Sequence, residues 1–388
     1  VMARLGDAFS VIRNGASIRQ ADGAGGLPIT RIETISNREI DRSKFGYAGI
    51  EDADKYREYI LQDGDILMSH INSEKHLGKV ALYKKQGNEK IIHGMNLLML
   101  RANKSIVYPP FATYYFATNI FLGQIQKITK KSVNQASFTV SALKEIEMDP
   151  PTLDEQRRIA SVLDKVSDLI AKRRQQLGKL DEMVKARFVE MFGDPVENPM
   201  GWEKLALGKR CDIVTGNTPS RAEPENYGNF IEWIKSDNIN TPAVLLTEAQ
   251  EYLSETGFHK CRFVEAGSLL MTCIAGSINC IGNVAVADRR VAFNQQINAI
   301  VPKQDDVLYL YWLMLLSKPA IHSTINMSLK GILSKGQLSE MTFPFPPLEL
   351  QNQFAVFVKK TEKTKANISR SLEKLETLKK ALMQEYFG

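Results

Sequence analysis

The chain has 388 residues, of which 44% are hydrophobic and 24% are charged. This length allows two or three hydrophobic cores, and the composition excludes a disordered or fibrous protein. The formal net charge of +6 permits binding to nucleic acid without requiring it.

Targeting and metal-binding signals are not recognisable in the sequence. Residues 1–15 lack the basic region and apolar core of a signal peptide, and the apolar run Val307–Leu316 is too short to span a bilayer. We therefore expect a cytoplasmic protein without membrane contact. No CxxC pair and no Cys/His cluster is present, so we expect reduced thiols, no metal and no cofactor. The cysteines are Cys211, Cys261, Cys273 and Cys280.

Residues 1–150 predict a mixed α/β domain with short strands, glycine turns and short helices. Within it, residues 63–68 and 77–82 predict a strand–turn–strand unit. Residues 127–135 combine cations that suit phosphates with amides that can read base edges, and an exposed loop is the alternative interpretation. Residues 17–31 predict a flexible loop with polar reach, and residues 70–76 fill a turn between two strands. The candidate DNA-binding residues in this half are Ser17, Arg19, Gln20, Arg31, His70, Asn72, Lys75, Lys127, Lys130, Lys131, Asn134 and Gln135.

Residues 154–192 contain no proline and predict one long helix of about 58 Å, at about 1.5 Å per residue. A helix of this length buries little within a small domain, so we expect it to pair with another helix. Spacings of four and three alternate along it, which is typical of a coiled-coil seam. The seam residues are Ile159, Leu163, Val166, Ile170, Arg173, Leu177, Leu180, Val184, Arg187 and Met191.

Residues 198–346 predict a second domain of the same kind, in which 266–271 and 281–286 correspond to the strand–turn–strand unit of the first. Asn294, Gln295 and Gln296 could bond adenine, although buried amides at the ends of strands are equally common. The candidate DNA-binding residues in this half are Thr218, Ser220, Arg221, Lys235, Ser236, Asn238, Ser277, Asn294, Gln295, Lys330 and Lys335.

The second half ends in a copy of the first long helix. A shift of 195 positions places residues 151–193 on residues 346–388 without a gap, and 14 of the 43 pairs are identical. The repeat alone does not fix the direction of pairing, but the local twofold relation of DNA strands favours antiparallel helices. Polar residues at 361–365 interrupt the second seam, which consists of Phe354, Val358, Thr361, Lys365, Ile368, Leu372, Leu375, Lys379, Leu382 and Tyr386.

Several motifs resemble those of the specificity subunits of type I restriction–modification systems. Residues 150–160 resemble the "PPLxEQxxIA" entry to a spacer helix of that family, and Gly201-Trp202 follows a junction, residues 192–195, that is also similar. Residues 215–220 resemble its "GxTPS" turn and residues 233–240 its "WIxxxDIN" strand. The first domain departs from the pattern, because residues 13–17 replace the turn and the tryptophan strand is missing.

The resemblance implies an α+β fold with two homologous target recognition domains, 1–150 and 198–346. Two long spacer helices, within 151–197 and 347–388, would form an antiparallel coiled coil. It also implies a subunit without a catalytic site, which reads a bipartite double-stranded DNA sequence with one half-site for each domain. Its partners would be two methyltransferase subunits and, in the full complex, restriction subunits.

Two other classes of protein are alternatives. Residues 149–152 are similar to the "(D/N)PP(F/Y)" motif of amino-methyltransferases, but Thr152 stands where an aromatic residue must stack on the base. Walker, HExxH and GxSxG motifs are missing from the sequence, so we expect no enzyme. The remaining alternative is a duplicated coiled-coil scaffold that binds proteins and has no DNA role.

Overall fold

The computed structural model of the chain describes residues 2–21, 25–35, 38–132, 135–325 and 331–388. The chain forms two compact units, Val1–Arg173 with Ser371–Gly388 and Arg174–Arg370. The boundary between the units lies within both long helices, so each unit contains one mixed α/β domain and a part of each helix. Among the described residues, no helix has both the length and the apolar character needed to cross a bilayer.

The first unit is built on a four-stranded antiparallel sheet, whose two central strands, Leu97–Ala102 and Ile66–Ser69, are buried on both faces. Alternate side chains enter different cores: Ile66 and Met68 join one cluster, whereas Leu67 and Met99 join another. Burial of both faces explains why these strands are continuous apolar runs rather than alternating ones. In order across the sheet, the strands are Phe9–Asn14, Leu97–Ala102, Ile66–Ser69 and Val80–Leu82.

Shorter elements surround this sheet. One small sheet pairs Ala3–Arg4 with Glu147–Met148. In another, Ala136–Ser137 lies between Ile71–Asn72 and Lys130–Lys131 and pairs with both. The short α-helices are Leu5–Ala8, Pro109–Tyr115, Asn119–Ile128 and Val140–Lys144. The 3-10 turns are Ile32–Ile35, Arg42–Lys44, Asp54–Tyr59 and Glu74–His76.

The second unit repeats the central sheet with the same order and directions, which confirms the predicted duplication of the domain. Its strands are Cys211–Thr215, Ile297–Pro302, Leu269–Thr272 and Val284–Val286. A second sheet orders Tyr252–Leu253, Tyr227–Ile234, Val291–Phe293 and Phe263–Val264. Small sheets pair Lys204–Ala206 with Thr342–Pro344, and Ile274–Ala275 with Gly331–Ile332. The helices and 3-10 turns are Leu207–Arg210, Pro224–Asn226, Ser236–Asn238, Glu255–His259, Ile278–Cys280, Val307–Leu316, Lys318–Ser323 and Lys335–Glu340.

The first unit has a reduced form of the second sheet. Trp233 pairs in parallel with Ala292, which also pairs antiparallel with Phe263. In the first unit, Ile29 bridges Ile92 in parallel, and Ile92 bridges Ile60 antiparallel. Ile29 therefore lies where the second unit has its tryptophan strand, although the motif itself is missing from the first half of the sequence.

Two 40-residue helices, Leu153–Phe192 and Leu348–Phe387, carry the predicted seams, and every seam residue is buried or half-buried. In the first unit, Arg158 lies over the ring of Tyr386 at 5.7 Å. Asp164 and Lys379, one or two turns further along, both contact Tyr114. Rising numbers on one helix thus meet falling numbers on the other, which confirms the antiparallel pairing.

The second unit shows the same antiparallel pairing and explains the polar interruption of the seam. The rings of Phe188 and Phe354 are 5.4 Å apart, and the Nζ of Lys365 lies 2.7 Å from Asp181. Lys365 also lies 2.9 Å from Glu362. Burial lowers the pKa of Lys365, but hydrogen bonds to these two carboxylates raise it and prevail. The ammonium group therefore stays charged in the seam because it has two acidic partners.

A buried glutamine fastens each long helix to the domain that precedes it. The Oε1 of Gln156 accepts the N–H of Tyr108 at 2.8 Å, and its Nε2 donates to the carbonyls of Ile106 and Pro151, both at 2.9 Å. Gln351 repeats this with the N–H of Asp306 (3.0 Å) and the carbonyl of Pro346 (2.9 Å). The bonds satisfy backbone groups that would otherwise be buried without partners, which accounts for the identity of this pair in the repeat.

Candidate nucleic-acid interface

In the first unit, a small three-stranded sheet gathers much of the predicted polar set. Asn72 and Lys131 are paired to opposite sides of Ala136, and Lys130 is paired with Ser137. The exposed Lys75 lies in the turn after Asn72, and the exposed Gln135 precedes Ala136. We call Asn72, Lys75, Lys130, Lys131 and Gln135 the first polar cluster.

The first polar cluster carries a net positive charge. Glu74 forms an ion pair with Lys131, with 2.9 Å between Oε1 and Nζ, in which both side chains are at least half exposed. Three lysines therefore face one carboxylate, and exposed pairs of this kind exchange partners at little cost. Lys127 is exposed in the helix that precedes the strand of Lys130. Exposed lysines of this kind suit phosphates, and exposed amides suit base edges.

The other candidates of the first unit lie elsewhere. Arg31 donates from Nε to the Oε1 of Gln20, and both side chains pack close to the Cα of Gly46. Ser17 and Arg19 are exposed. His70, by contrast, is 4% exposed and lies beside Phe138. Burial lowers its pKa to about 4, so the ring is neutral near pH 7. A contact between His70 and DNA stays a prediction.

The polar turn of the second unit, residues 215–220, begins where the strand Cys211–Thr215 ends. A Cβ on Gly216 would lie 2.2 Å from the carbonyl oxygen of Asn294, and a Cβ on Gly15 would lie 2.0 Å from that of Gly94. The two glycines thus meet the same neighbouring loop, one in each unit. Residues 13–17 are the structural counterpart of the 215–220 turn, although their side chains differ.

Two pairs of side chains form hydrogen bonds at this turn and next to it. Thr218 donates to the Oε1 of Gln295, and Ser236 donates to the Oε1 of Gln296 at 3.4 Å. Thr218 and Gln295 are exposed. Ser220 is exposed in the same turn as Thr218. These hydroxyl and amide groups can act as donors or acceptors towards a base edge.

Two predicted amides serve local structure instead. Asn238 is 8% exposed, accepts the N–H of Lys235 at 3.0 Å and donates to the carbonyl of Glu248 at 2.9 Å. Asn294 is 7% exposed and accepts the N–H of Gln296 at 3.0 Å. Both close the turns on which Lys235 and Gln295 lie, so they support the surface from below. Their contact with DNA stays a prediction.

Arg221 and Lys235 share one acidic partner. Both form ion pairs with Glu251, and both lie over the ring of Trp233, at 5.4 and 5.2 Å from its centroid. Arg221 also lies 4.3 Å from the centroid of Tyr227. We call Thr218, Arg221, Lys235, Ser236 and Gln295 the second polar cluster.

The ladder beside this cluster matches that of the first unit. Ile274 pairs with Ile332 as Ile71 pairs with Ser137, and Ser277 and Lys335 are exposed just beyond the two strands. Asn134 and Lys330 lie outside the described residues. Within the described part of the chain, no group of three His, Cys, Asp or Glu side chains could hold a metal ion.

Two residues that the sequence did not single out lie beside the second polar cluster. Glu251 forms ion pairs with both of its cations, and Arg262 donates from NH1 to the carbonyl of Thr215 at 2.6 Å. Gln296, which the sequence did single out, accepts from Ser236. Glu251 and Arg262 lie on segments that only the folded sheet brings to the turn, so no local pattern marks them.

Known proteins match both halves of the chain. Residues 1–179 and 199–377 each match the model described as the type I restriction modification DNA specificity domain. The chain is 31% identical over 403 residues to a Methanocaldococcus jannaschii protein named as the putative specificity subunit of the type I restriction enzyme MjaX; the match covers 98% of this chain and 90% of the other. A 117-residue stretch is 32% identical to the HindI specificity subunit of Haemophilus influenzae, covering 29% of this chain and 24% of that one.

Solved structures share the fold. The crystal structure of a type I restriction–modification S subunit from M. genitalium aligns over 100% of this chain and 96% of that chain, with a TM-score of 0.63 at 14% identity. A chain from a structural study of assembly and conformational transition in a type I R-M system aligns over 100% and 97%, with a TM-score of 0.56 at 16% identity.

Proposed function

Because the chain belongs to the type I restriction–modification DNA specificity family, we propose that each of its two domains reads one half of a bipartite DNA site. The observation that carries this proposal is the repetition of one ladder in both domains. Ile71–Asn72 with Ala136–Ser137, and Ile274–Ala275 with Gly331–Ile332, occupy the same position beside the central sheet. Both ladders lie beside exposed polar side chains that differ between the domains.

Differences between the clusters support two distinct half-sites. The first polar cluster has three lysines and two amides, whereas the second combines one arginine, one lysine, two hydroxyls and one amide. Donor and acceptor patterns on base edges are distinguished by such sets. Equal frameworks with unequal polar groups are what a reader of two different sequences requires.

We further propose that the chain itself is not catalytic and acts in the cytoplasm. Two methyltransferase subunits would modify adenines, and restriction subunits would join in the full complex. The names of the relatives as specificity subunits support this division of labour. The two long helices, whose outward faces are strongly charged, offer the surface for these partners.

Sequencing of modified adenines tests the function directly. Cells that express the chain together with a methyltransferase subunit should carry modified adenines within one bipartite motif of fixed gap. Cells that express the methyltransferase subunit alone should lack that motif. The same motif in both kinds of cell, or a continuous motif without a gap, would contradict the proposal.

Lys130 and Lys131 give a separate prediction for phosphate contact. Replacing both with alanine should make the negative slope of log K against log salt shallower by about 2, because each phosphate contact contributes about −0.9 to it. The measurement is DNA binding by the assembled complex at several salt concentrations.

A matched control is available in the same domain. Lys84 and Lys85 are also exposed, and they follow the strand Val80–Leu82 at the end of the sheet opposite the first polar cluster. Their double alanine variant removes the same charge and should leave the slope within about 0.5 of the wild type. Equal slopes in both double variants would show that Lys130 and Lys131 act only through net charge.

A further inference from the structure

Glu251 lies behind two cations of the second polar cluster. Its Oε2 accepts hydrogen bonds from the NH2 of Arg221, at 3.1 Å, and from the Nζ of Lys235. Its Oε1 accepts a hydrogen bond from the NH1 of Arg221. The side chain of Glu251 is 28% exposed, whereas those of Arg221 and Lys235 are 57% and 37% exposed. The carboxylate is therefore the most enclosed member of the trio, and the cations reach solvent.

The platform under the cations is itself tied to the polar turn. The Nε1 of Trp233 donates to the carbonyl of Asn217 at 3.4 Å, and the hydroxyl of Tyr227 donates to that of Pro219 at 2.9 Å. Glu251 accepts the backbone N–H of Trp233 at 3.0 Å through its own carbonyl. Hydrogen bonds thus connect the polar turn, the two aromatic residues and Glu251. The side chains of Arg221 and Lys235 lie over this connected structure.

The net charge of Arg221, Lys235 and Glu251 and the number of their remaining N–H donors determine which groups they can bind. Two cations and one carboxylate leave one net positive charge. Hydrogen bonds from Arg221 hold the pKa of Glu251 at about 2, so the carboxylate stays ionised wherever DNA is bound. A guanidinium has five N–H donors, and Glu251 takes two of those of Arg221. The remaining donors can reach a base edge or a phosphate.

Given the proposed reading of a half-site by the second domain, we infer that Glu251 is a positioning residue for Arg221 and Lys235. It fixes both cations in the orientation in which they contact DNA and does not contact DNA itself. Its oxygens are already occupied, and phosphates repel a carboxylate. Long cationic side chains lose rotamer freedom when they bind, so a partner that restrains them beforehand improves discrimination between sequences.

Removal of the carboxylate should then have two opposite effects. Glu251→Gln removes one negative charge, which strengthens binding to any DNA, but it releases the guanidinium and the ammonium group from their fixed positions. We expect binding to unrelated DNA to be unchanged or tighter. We expect preference for the correct second half-site to fall about tenfold, the worth of one well-oriented bidentate contact. A residue that only stabilised the fold would weaken both.

The experiment compares three DNA duplexes: the full site, the site with a scrambled first half, and the site with a scrambled second half. The assembled complex carries wild-type chain, Glu251→Gln or the control Glu265→Gln. Glu265 pairs with Arg290 at 2.6 Å, and Arg290 lies 5.4 Å from the centroid of Phe263. The control therefore removes the same charge from a carboxylate whose arginine partner also lies over an aromatic ring of the same domain. Dissociation constants and Tm are measured for each.

Selective loss of discrimination at the second half-site in Glu251→Gln, with the first half-site and Glu265→Gln unaffected, supports the inference. Equal discrimination in the two variants overturns it. If Glu251→Gln lowers Tm, Glu251→Asp keeps the charge but draws the carboxylate back by one methylene; full discrimination in that variant would also overturn the inference. A wild-type complex that distinguishes neither half-site would instead refute the proposed function.

Discussion

Replacement of Gln351 by leucine should lower the free energy of unfolding by about 4 kcal/mol, because each unsatisfied buried polar group costs about 1–3 kcal/mol. The side chain is fully buried, and leucine of similar volume would fill its space. The change would strip partners from the N–H of Asp306, the carbonyl of Pro346 and the carboxylate of Asp305, which accepts the Nε2 of Gln351 at 2.8 Å.

The same change at Gln156 should cost less. Gln156 bonds only backbone groups, whereas Gln351 also bonds Asp305, a fully buried carboxylate whose other partner is Arg210. Loss of a bond to a buried charge is more costly than loss of one to a neutral group. We expect about 3 kcal/mol for Gln156→Leu.

Urea unfolding of the full chain measures both effects, and the control lies on the same helix. Gln353 is exposed two residues after Gln351, so Gln353→Leu should change the free energy of unfolding by no more than about 0.5 kcal/mol. A Gln351→Leu variant as stable as Gln353→Leu would show that the buried amide does not fasten the helix to its domain.

The framework of the fold could be predicted from the sequence because it depends on local, periodic signals. The seams of the long helices follow a spacing of four and three, and the Gly193 that ends the first helix adopts a positive φ of 78°. Because of the repeat, elements predicted in one half are also predicted in the other. The sequence does not predict the pairing of Ile29 with Ile92, because a single bridge without a tryptophan motif leaves no periodic pattern.

The candidate sites were less predictable, since exposure and partners depend on the folded neighbourhood. His70, Asn238 and Asn294 have polar side chains that suit DNA, yet all three are buried. Thr218 and Gln295 lie far apart in sequence but bond each other across the turn. Composition identifies polar segments, whereas tertiary packing decides which of their side chains face outward.

Acid should unfold the first unit before the second, because two neutral histidines are buried only in the first. His70 is 4% exposed and His93 is fully buried. Burial lowers the pKa of each to about 4, from an ordinary value of 6.5. In the second unit, Cys273 follows the strand that corresponds to the one before His70, and Phe293 follows Ala292 as His93 follows Ile92. Neither side chain carries a charge over this range.

The direction of the effect follows from proton binding. Between pH 6.5 and about 4, the unfolded chain binds protons at these imidazoles and the folded unit does not, so stability falls as the pH falls. The loss should approach about 3 kcal/mol for each histidine at the lower end of this window. Pulse proteolysis in urea at pH 4.5 to 7, with fragments assigned by mass spectrometry, follows each unit separately.

Exchange of residues between the repeats isolates the cause. His70→Cys with His93→Phe installs the side chains that the second unit has at these positions, and neither titrates between pH 4 and 7. We expect the acid dependence of the first unit to become shallower, whatever the variant does to stability at pH 7. An unchanged dependence would assign the acid sensitivity to carboxylates instead. The slope is the decisive measurement, because repacking around the introduced phenyl ring alters stability equally at every pH whereas proton binding does not.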